Sequence, residues 1–263
     1  MGTVVCGNAM AVNGVNTARN FRIILHNEGI PYAASNTNGS MGRVVSAFDW
    51  QGVYMMYGHT PVVFPGDNFT FTGSTTGTQG VSGAAICERI RIMWDVERGA
   101  PISALVFFAS NGAFAYTGAA TDVTVPNPPT AKNMFASFGS ALTNVRKMEL
   151  EISSRVKPYS TADTLGWVKR NKGAIDAKCS VDLYTPDAAD LPTIGTDTIA
   201  KFYVTETTFW ELKWMHNQGF WNFETDHESD TNVSAVLEAA FTGYSAGGEG
   251  YIKNPAIVTK WPT

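Results

Sequence analysis

The chain has 263 residues, a formal charge of −4 and only 16% charged residues, with 25 glycines and 12% aromatics. Ordinary soluble domains are about 25% charged, so much of this surface is expected to face other protein, and the absence of any basic run excludes binding built on phosphate neutralisation. The longest apolar stretch, Ala104 to Ala109, is far short of the roughly 20 residues of a membrane helix, and the first ten residues lack a signal-peptide pattern, so a soluble protein made in a cytoplasm is expected.

The same unit is legible twice. Residues 1–15 read as an N-terminal arm, 16–125 as a first unit, 126–143 as a linker, 144–245 as a second unit and 246–263 as a C-terminal arm. Shifted by 127 positions, the segment from Pro31 to Tyr57 matches that from Pro158 to Tyr184 at eight positions, among them Arg43/Arg170, Gly39/Gly166 and Asp49/Asp176. Upstream, Phe21, Ile23 and Leu25 fall on Met148, Leu150 and Ile152; downstream, Trp94 falls on Trp221. After a four-residue slip, Ile102 to Ala104 meets Val233 to Ala235 and Gly112 meets Gly243. Such a register is what a duplicated domain leaves.

Within each unit the period is two. In the first, Ile90, Ile92 and Trp94 alternate with Arg89, Arg91 and Met93, the pattern of a half-buried strand. Pro65-Gly66-Asp67, Arg98-Gly99 and Asn111-Gly112 supply turn signals. Gly80-Val81-Ser82-Gly83 resembles a nucleophile elbow only superficially and reads as a flexible loop. The run Ile102 to Ser110 is apolar on both faces, which calls for cover on each side. In the linker Pro126 to Pro129 reads as stiff and extended, and Met134 to Arg146 shows weak helical spacing. In the second unit Met148, Leu150 and Ile152, then Cys179, Val181 and Leu183, alternate with polar residues, while Phe209 to Asn217 fits helix or strand. The chain is therefore expected to be mainly all-β: two tandem β-sandwich or barrel units, each with at most one short helix. Residues 1–130 hold 13 charged groups and residues 131–263 hold 29, so the first unit is expected to be the more heavily covered.

Candidate chemistry is sparse. His26, His59, His216 and His227 lack ligand spacing and do not recur between the units. Cys6, Cys87 and Cys179 are odd in number and far apart, which suits buried thiols rather than disulfides or metal ligands. The acids from Glu224 to Asp230 alternate as a cation site would, but lack the glycine of a binding loop and read as a solvated hairpin tip. Trp50, Trp94, Trp221 and Tyr57 sit at alternating positions that suit core or interface. No catalytic residue, metal or cofactor is expected.

Gly80 to Ile86, Arg89 to Ile92, the turn at Glu97 to Ala100 and the strand Pro101 to Gly112 resemble the closing strands of bacteriophage tail tube proteins; Thr161 to Trp167, Gly173 to Tyr184 and Asn232 to Gly243 are similar in the second half. The resemblance covers most of both units. It implies a virion structural protein whose β units, tail-tube in type, join neighbours into a barrel around a channel, stack as rings and pass DNA as a transient cargo. The usual subunit has one unit and forms six-membered rings, so two units per chain imply homotrimeric, pseudo-hexameric rings. It further implies contact with other tail proteins such as the tape measure and terminator, a location in the virion tail after assembly in the host cytoplasm, and no membrane. The connections Pro31 to Val45 and Pro158 to Lys172 are expected to be ring-stacking loops, carried by Pro31, Tyr32, Thr37, Gly39 and Arg43 and by Pro158, Tyr159, Thr164, Gly166 and Arg170. Leu105, Phe107, Val236 and Glu238 are expected in interface strands. Few cations suit a bore that lets phosphates slide. The alternatives are a double jelly-roll capsid protein, a distal tail protein, or a carbohydrate-binding or carbohydrate-acting sandwich, the last requiring a carboxylate pair in a cleft.

Overall fold

The computed structural model describes residues 11–12, 15, 17–34, 40–58, 63–74, 80–117, 130–132, 134–142, 144–184, 192–205, 208–224, 234–241, 244–245, 248–249 and 252–253. Most of them are in strands. In the first half these are β1 (Ala11–Val12), β2 (Ala18–Tyr32), β3 (Gly42–Tyr57), β4 (Asn68–Ser74), β5 (Gly80–Asp95) and β6 (Ser103–Thr117). The second half holds β7 (Ala136–Phe138), β8 (Ser140–Ala141), β9 (Val145–Ser154), β10 (Lys157–Tyr159), β11 (Lys169–Asn171), β12 (Ile175–Tyr184), β13 (Asp197–Tyr203), β14 (Phe209–Glu224) and β15 (Ser234–Phe241). Short strands β16 (Tyr244–Ser245), β17 (Gly248–Glu249) and β18 (Ile252–Lys253) follow. Among the described residues helix is confined to one 3-10 turn, Ala162–Thr164, in the second half.

One antiparallel sheet runs through both halves in the order β2-β3-β6-β5-β9-β12-β15-β14-β13-β7-β8, with β4 joined to the first half of β5 and β1 to β4. The two halves share a strand order. β2-β3-β6-β5-β4-β1 in the first corresponds, pairing for pairing, to β9-β12-β15-β14-β13-β7 in the second. Where two strands come next to each other far apart in sequence, as β3 beside β6, alternation selects the face: Tyr54, Val106, Phe108 and Ile90 point inward and are almost fully buried. β4 curls over this covered face, stacking Phe71 on Phe108 with ring centroids 4.7 Å apart, and β13 brings Phe202 over Trp94 at 5.9 Å. A single apolar core thus crosses from one half to the other.

Three local expectations are corrected. Met134 to Arg146 forms no helix: Ala136 and Phe138 alternate inward, pair with Phe202 and Ala200 of β13, and are followed by Gly139 and Asn144 at positive φ. That stretch of the linker is therefore part of the second sheet half, whereas Pro126 to Pro129 lies outside the described residues. Phe209 to Asn217 is strand. Gly80 to Gly83 is no loop; it pairs with β4 on one side and β6 on the other. A Cβ at Gly83 would sit 2.5 Å from the Trp50 ring, so glycine here lets the indole lie against the strand. Asn111-Gly112 makes no turn but an irregularity within β6, Gly112 having φ of +151°. Its carbonyl accepts the Trp50 Nε1–H at 3.1 Å. Trp50 and Trp94 are core residues, and Cys87 and Cys179 are buried free thiols. Burial raises the pKa of Cys179 most, with the Glu238 charge adding to it.

Candidate functional site

The side chains that join the halves are concentrated at one seam. Arg89 to Asp95 of β5 pairs with Ser153 back to Lys147 of β9, on the side of β5 that β4 occupies earlier along the strand. Ile90, Ile92 and Trp94 face inward with Met148, Leu150 and Ile152 across the ladder, all at 3% exposure or less. The opposite face is laced with charge: Arg89 to Glu151 at 3.6 Å, Lys178 to Glu151 at 3.3 Å, and Arg91 hydrogen-bonded to Glu149. Exposed pairs of this kind contribute roughly 0.2–1 kcal/mol each, so apolar burial carries the seam and charge sets its register. At its end Tyr184 donates to Glu97 at 3.0 Å and Arg146 stacks on the Tyr184 ring at 3.9 Å. Hydrogen bonds from Tyr184 and Arg146 hold the Glu97 carboxyl below its ordinary pKa.

A second contact crosses the halves. After β10 the chain makes the 3-10 turn, reverses through Leu165 and Gly166 at positive φ, and returns as β11. This arm lies against β3: Phe48 N–H donates to the Gly166 carbonyl at 2.7 Å, Val168 N–H donates to the Phe48 carbonyl at 2.9 Å, and the Trp167 ring rests 5.3 Å from that of Phe48. Arg170 is thereby brought to Asp49. Its Nη1 and Nη2 each donate to one Asp49 oxygen at 2.8 Å, the bidentate geometry that suits guanidinium and carboxylate. Nη1 also donates to the Ser110 carbonyl at 3.1 Å, and the Arg170 N–H donates to Asn111 Oδ1 at 2.9 Å. The Ser110 hydroxyl lies 2.6 Å from Asp49 Oδ1. The Arg170 and Asp49 side chains are only 10% and 17% exposed.

Burial opposes ionisation of Asp49, but the hydrogen bonds from Arg170 and Ser110 and the Arg170 charge outweigh it, and its pKa lies below the ordinary value. Glu88, 3.7 Å from Arg170 Nε, goes the other way: burial raises its pKa, the Arg170 charge opposes, and the Asp49 charge adds to the rise. A carboxyl with a raised folded pKa contributes stability that is present below the unfolded pKa and lost as pH rises through the folded one. Glu88→Gln is therefore expected to stabilise at pH 7 by less than about 1 kcal/mol, solvent screening at this partly exposed group being allowed for. That advantage should vanish below about pH 4, and paired urea titrations at the two pH values measure it.

The expected loop residues are divided by this geometry. Pro158, Tyr159, Thr164, Gly166 and Arg170 belong to the docked arm, where Thr164 is buried and Arg170 is committed to Asp49 of the other half, while Leu165 at the reversal is 86% exposed. Leu165 and Gly166, both in the left-handed region, make that reversal possible. Pro31, Tyr32 and Arg43 lie in the extended ends of β2 and β3, exposed; Thr37 and Gly39 lie outside the described residues. Leu105, Phe107, Val236 and Glu238 share the open face of the sheet, where the Arg89 guanidinium covers the Phe107 ring at 4.0 Å. Asp49, Ser110 and Glu88 were not singled out as site residues. The signal was available for Asp49: an arginine and an aspartate six positions apart recur in both halves.

Two of the sheet edges left unpaired among the described residues are related to the seam. One is the outer edge of β2, and the other is residues 218–224 of β14 on the side that β13 occupies earlier along that strand. They are the counterparts of the two edges that meet in the β5–β9 seam. Beside the β2 edge, Leu25, Ile30, Val44 and Val45 are 44% to 64% exposed, an apolar concentration that marks contact surfaces. A groove of about 570 Å³ on the open face is lined by both signs of charge, including Arg19, Asp95, Lys147 and Asp182. Burial raises the pKa of Asp182, the charges of Lys147 and Arg146 opposing it. Among the described residues no group of three or more His, Cys, Asp or Glu could hold a metal ion. Compared with models of known protein families and with curated proteins, the chain matches none.

Proposed function

We propose that this chain is a structural, self-assembling subunit of tail-tube type: copies join edge to edge into rings, rings stack, and the channel conducts DNA. The observation that carries this reading is the β5–β9 seam together with the two vacant counterparts of its edges. Within the chain, the β5 edge of the first half receives the β9 edge of the second. The equivalent β14 edge is open, and so is the equivalent β2 edge. Head-to-tail use of one interface generates a ring when the rotation closes, and closure removes edges that otherwise invite uncontrolled pairing. Each half offers four ladder strands, so six halves from three chains would make a barrel of about 24 strands, wide enough for an aqueous channel.

The open face suits a bore through which DNA slides. On it Arg89, Arg91 and Lys178 are paired with Glu151 and Glu149, and the groove sets Asp95 and Asp182 among Arg19 and Lys147, so carboxylates balance much of the positive charge that would otherwise hold phosphates. Other copies stacked along the tube, and tail proteins such as a tape measure and a terminator, are the partners this role requires; the virion tail is its place.

Negative-stain microscopy of the purified chain tests the proposal. Rings or tubes with an axial channel are expected. Closed shells would favour the capsid reading, and a monomer persisting at the highest accessible concentration would overturn self-assembly.

A further inference from the structure

We propose that Arg43 of one copy forms an ion pair with Asp176 of a second copy, clasping adjacent chains as Arg170 and Asp49 clasp the two halves of one chain. The inference rests on the edge-to-edge assembly proposed above and deepens it by naming the contact. Its basis is positional equivalence at both ends. Arg170 stands opposite Pro158 in the β10–β11 ladder, and Arg43 stands opposite Pro31 in the β2–β3 ladder, 127 residues earlier. Asp49 stands opposite His26, and Asp176 stands opposite Ser153, again at that offset. Arg170 therefore sits on the arm between β9 and β12, Arg43 at the corresponding outer end of the β2–β3 hairpin, and each aspartate farther along the second strand of its half.

Their present states differ in the way the proposal requires. Arg170 and Asp49 have found each other within the chain and are largely buried. Arg43 and Asp176 are exposed, and neither has an ion-pair partner among the described residues. If the β2 edge of one copy lies against the β14 edge of another in the register of the β5–β9 seam, Arg43 arrives at Asp176 by the same path that brings Arg170 to Asp49. The charges are complementary, and the contact continues an interface already made once within the chain.

The surroundings of Arg43 favour a protein partner over solvent. Ile30, Met41, Val44 and Val45 on this arm are 55% to 64% exposed, and their counterparts on the docked arm are Lys157, Val168, Asn171 and Lys172. The arm that docks within the chain is the more polar one; it is held near its target by covalent connection, and effective concentration does much of the work. The arm left to dock between separate molecules carries more apolar surface, as an interface formed from free solution needs. We take a second copy of this chain as its occupant.

Charge reversal tests the pair. Arg43→Asp and Asp176→Arg, each alone, are expected to raise the concentration at half-assembly by about tenfold or more, since like charges then face each other. The double variant should return to within about threefold of wild type. Both positions are exposed, and unchanged thermal unfolding of the monomers checks that the fold is intact. Independently, an Arg43→Cys chain mixed with an Asp176→Cys chain under oxidation should give a disulfide-linked pair of chains that neither variant gives alone. If wild type assembles, both single reversals assemble normally and no mixed disulfide forms, the clasp is overturned and edge-to-edge assembly stands. A wild-type chain that never assembles overturns both.

Discussion

Arg170→Ala is expected to lower the free energy of unfolding by about 3–5 kcal/mol, the range for breaking a buried ion pair by removing one partner. Asp49 would keep the Trp50 N–H at 2.9 Å and the Ser110 hydroxyl, but its charge would remain in a site only 17% exposed with the guanidinium gone. The Trp167 ring and the two backbone hydrogen bonds to Phe48 would also lose the anchor that holds the arm down. Asp49→Asn should cost less, because the amide oxygen still accepts from Arg170, and the double variant less than the sum of the two singles. Denaturant titration measures all three.

The same pair sets an acid dependence. Asp49 has a folded pKa below its ordinary value, so its contribution is present above the unfolded pKa of about 3.9 and is lost as pH falls through the folded value. In Arg170→Ala, burial acts without the opposing guanidinium and the folded pKa should rise instead. The gap in stability between wild type and variant is then largest at neutral pH and shrinks towards pH 3. A gap that stayed constant over that range would mean that lost packing, rather than charge, accounts for the effect.

Ile24→Lys combined with Leu25→Lys is expected to leave the monomer folded and abolish its association. Both side chains lie on the outer strand β2 and are 38% and 44% exposed, so the monomer loses little apolar burial. Lysine on an edge strand opposes the docking of another strand, because its ammonium would have to be desolvated or displaced. Sedimentation velocity should show one species of monomer mass across a concentration series in which wild type is expected to form larger particles. Equal substitutions inside the β5–β9 seam would unfold the chain instead, since Leu150 and Ile92 there are fully buried. Assembly of the edge variant at wild-type concentrations would rule out β2 as the joining edge.

Period-two alternation was enough to read the long strands. Ile90, Ile92 and Trp94, Met148, Leu150 and Ile152, and Cys179, Val181 and Leu183 face the core as the pattern requires, because a pleated backbone sends successive side chains to opposite faces whatever lies beside it. The matching offset of 127 residues was equally legible, and the strand order of the two halves follows it. Local signals misled where a partner strand decided the outcome: Met134 to Arg146 has weak helical spacing yet takes up the free edge of β13, and Gly80 to Gly83 is glycine-rich yet lies between two strands.

What alternation leaves open is which strand lies alongside which. The ladder from Arg89 to Asp95 runs beside β9 because β4 ends earlier and leaves that side of β5 vacant, and the meeting of Arg170 with Asp49 spans 121 residues. Neither is written in local sequence, since hydrogen-bond donors and acceptors are alike at every residue of a strand and a charge carries no record of its distant partner. Tertiary packing made those choices, by burying two apolar faces in one core and turning the arm through Leu165 and Gly166 onto β3 of the other half.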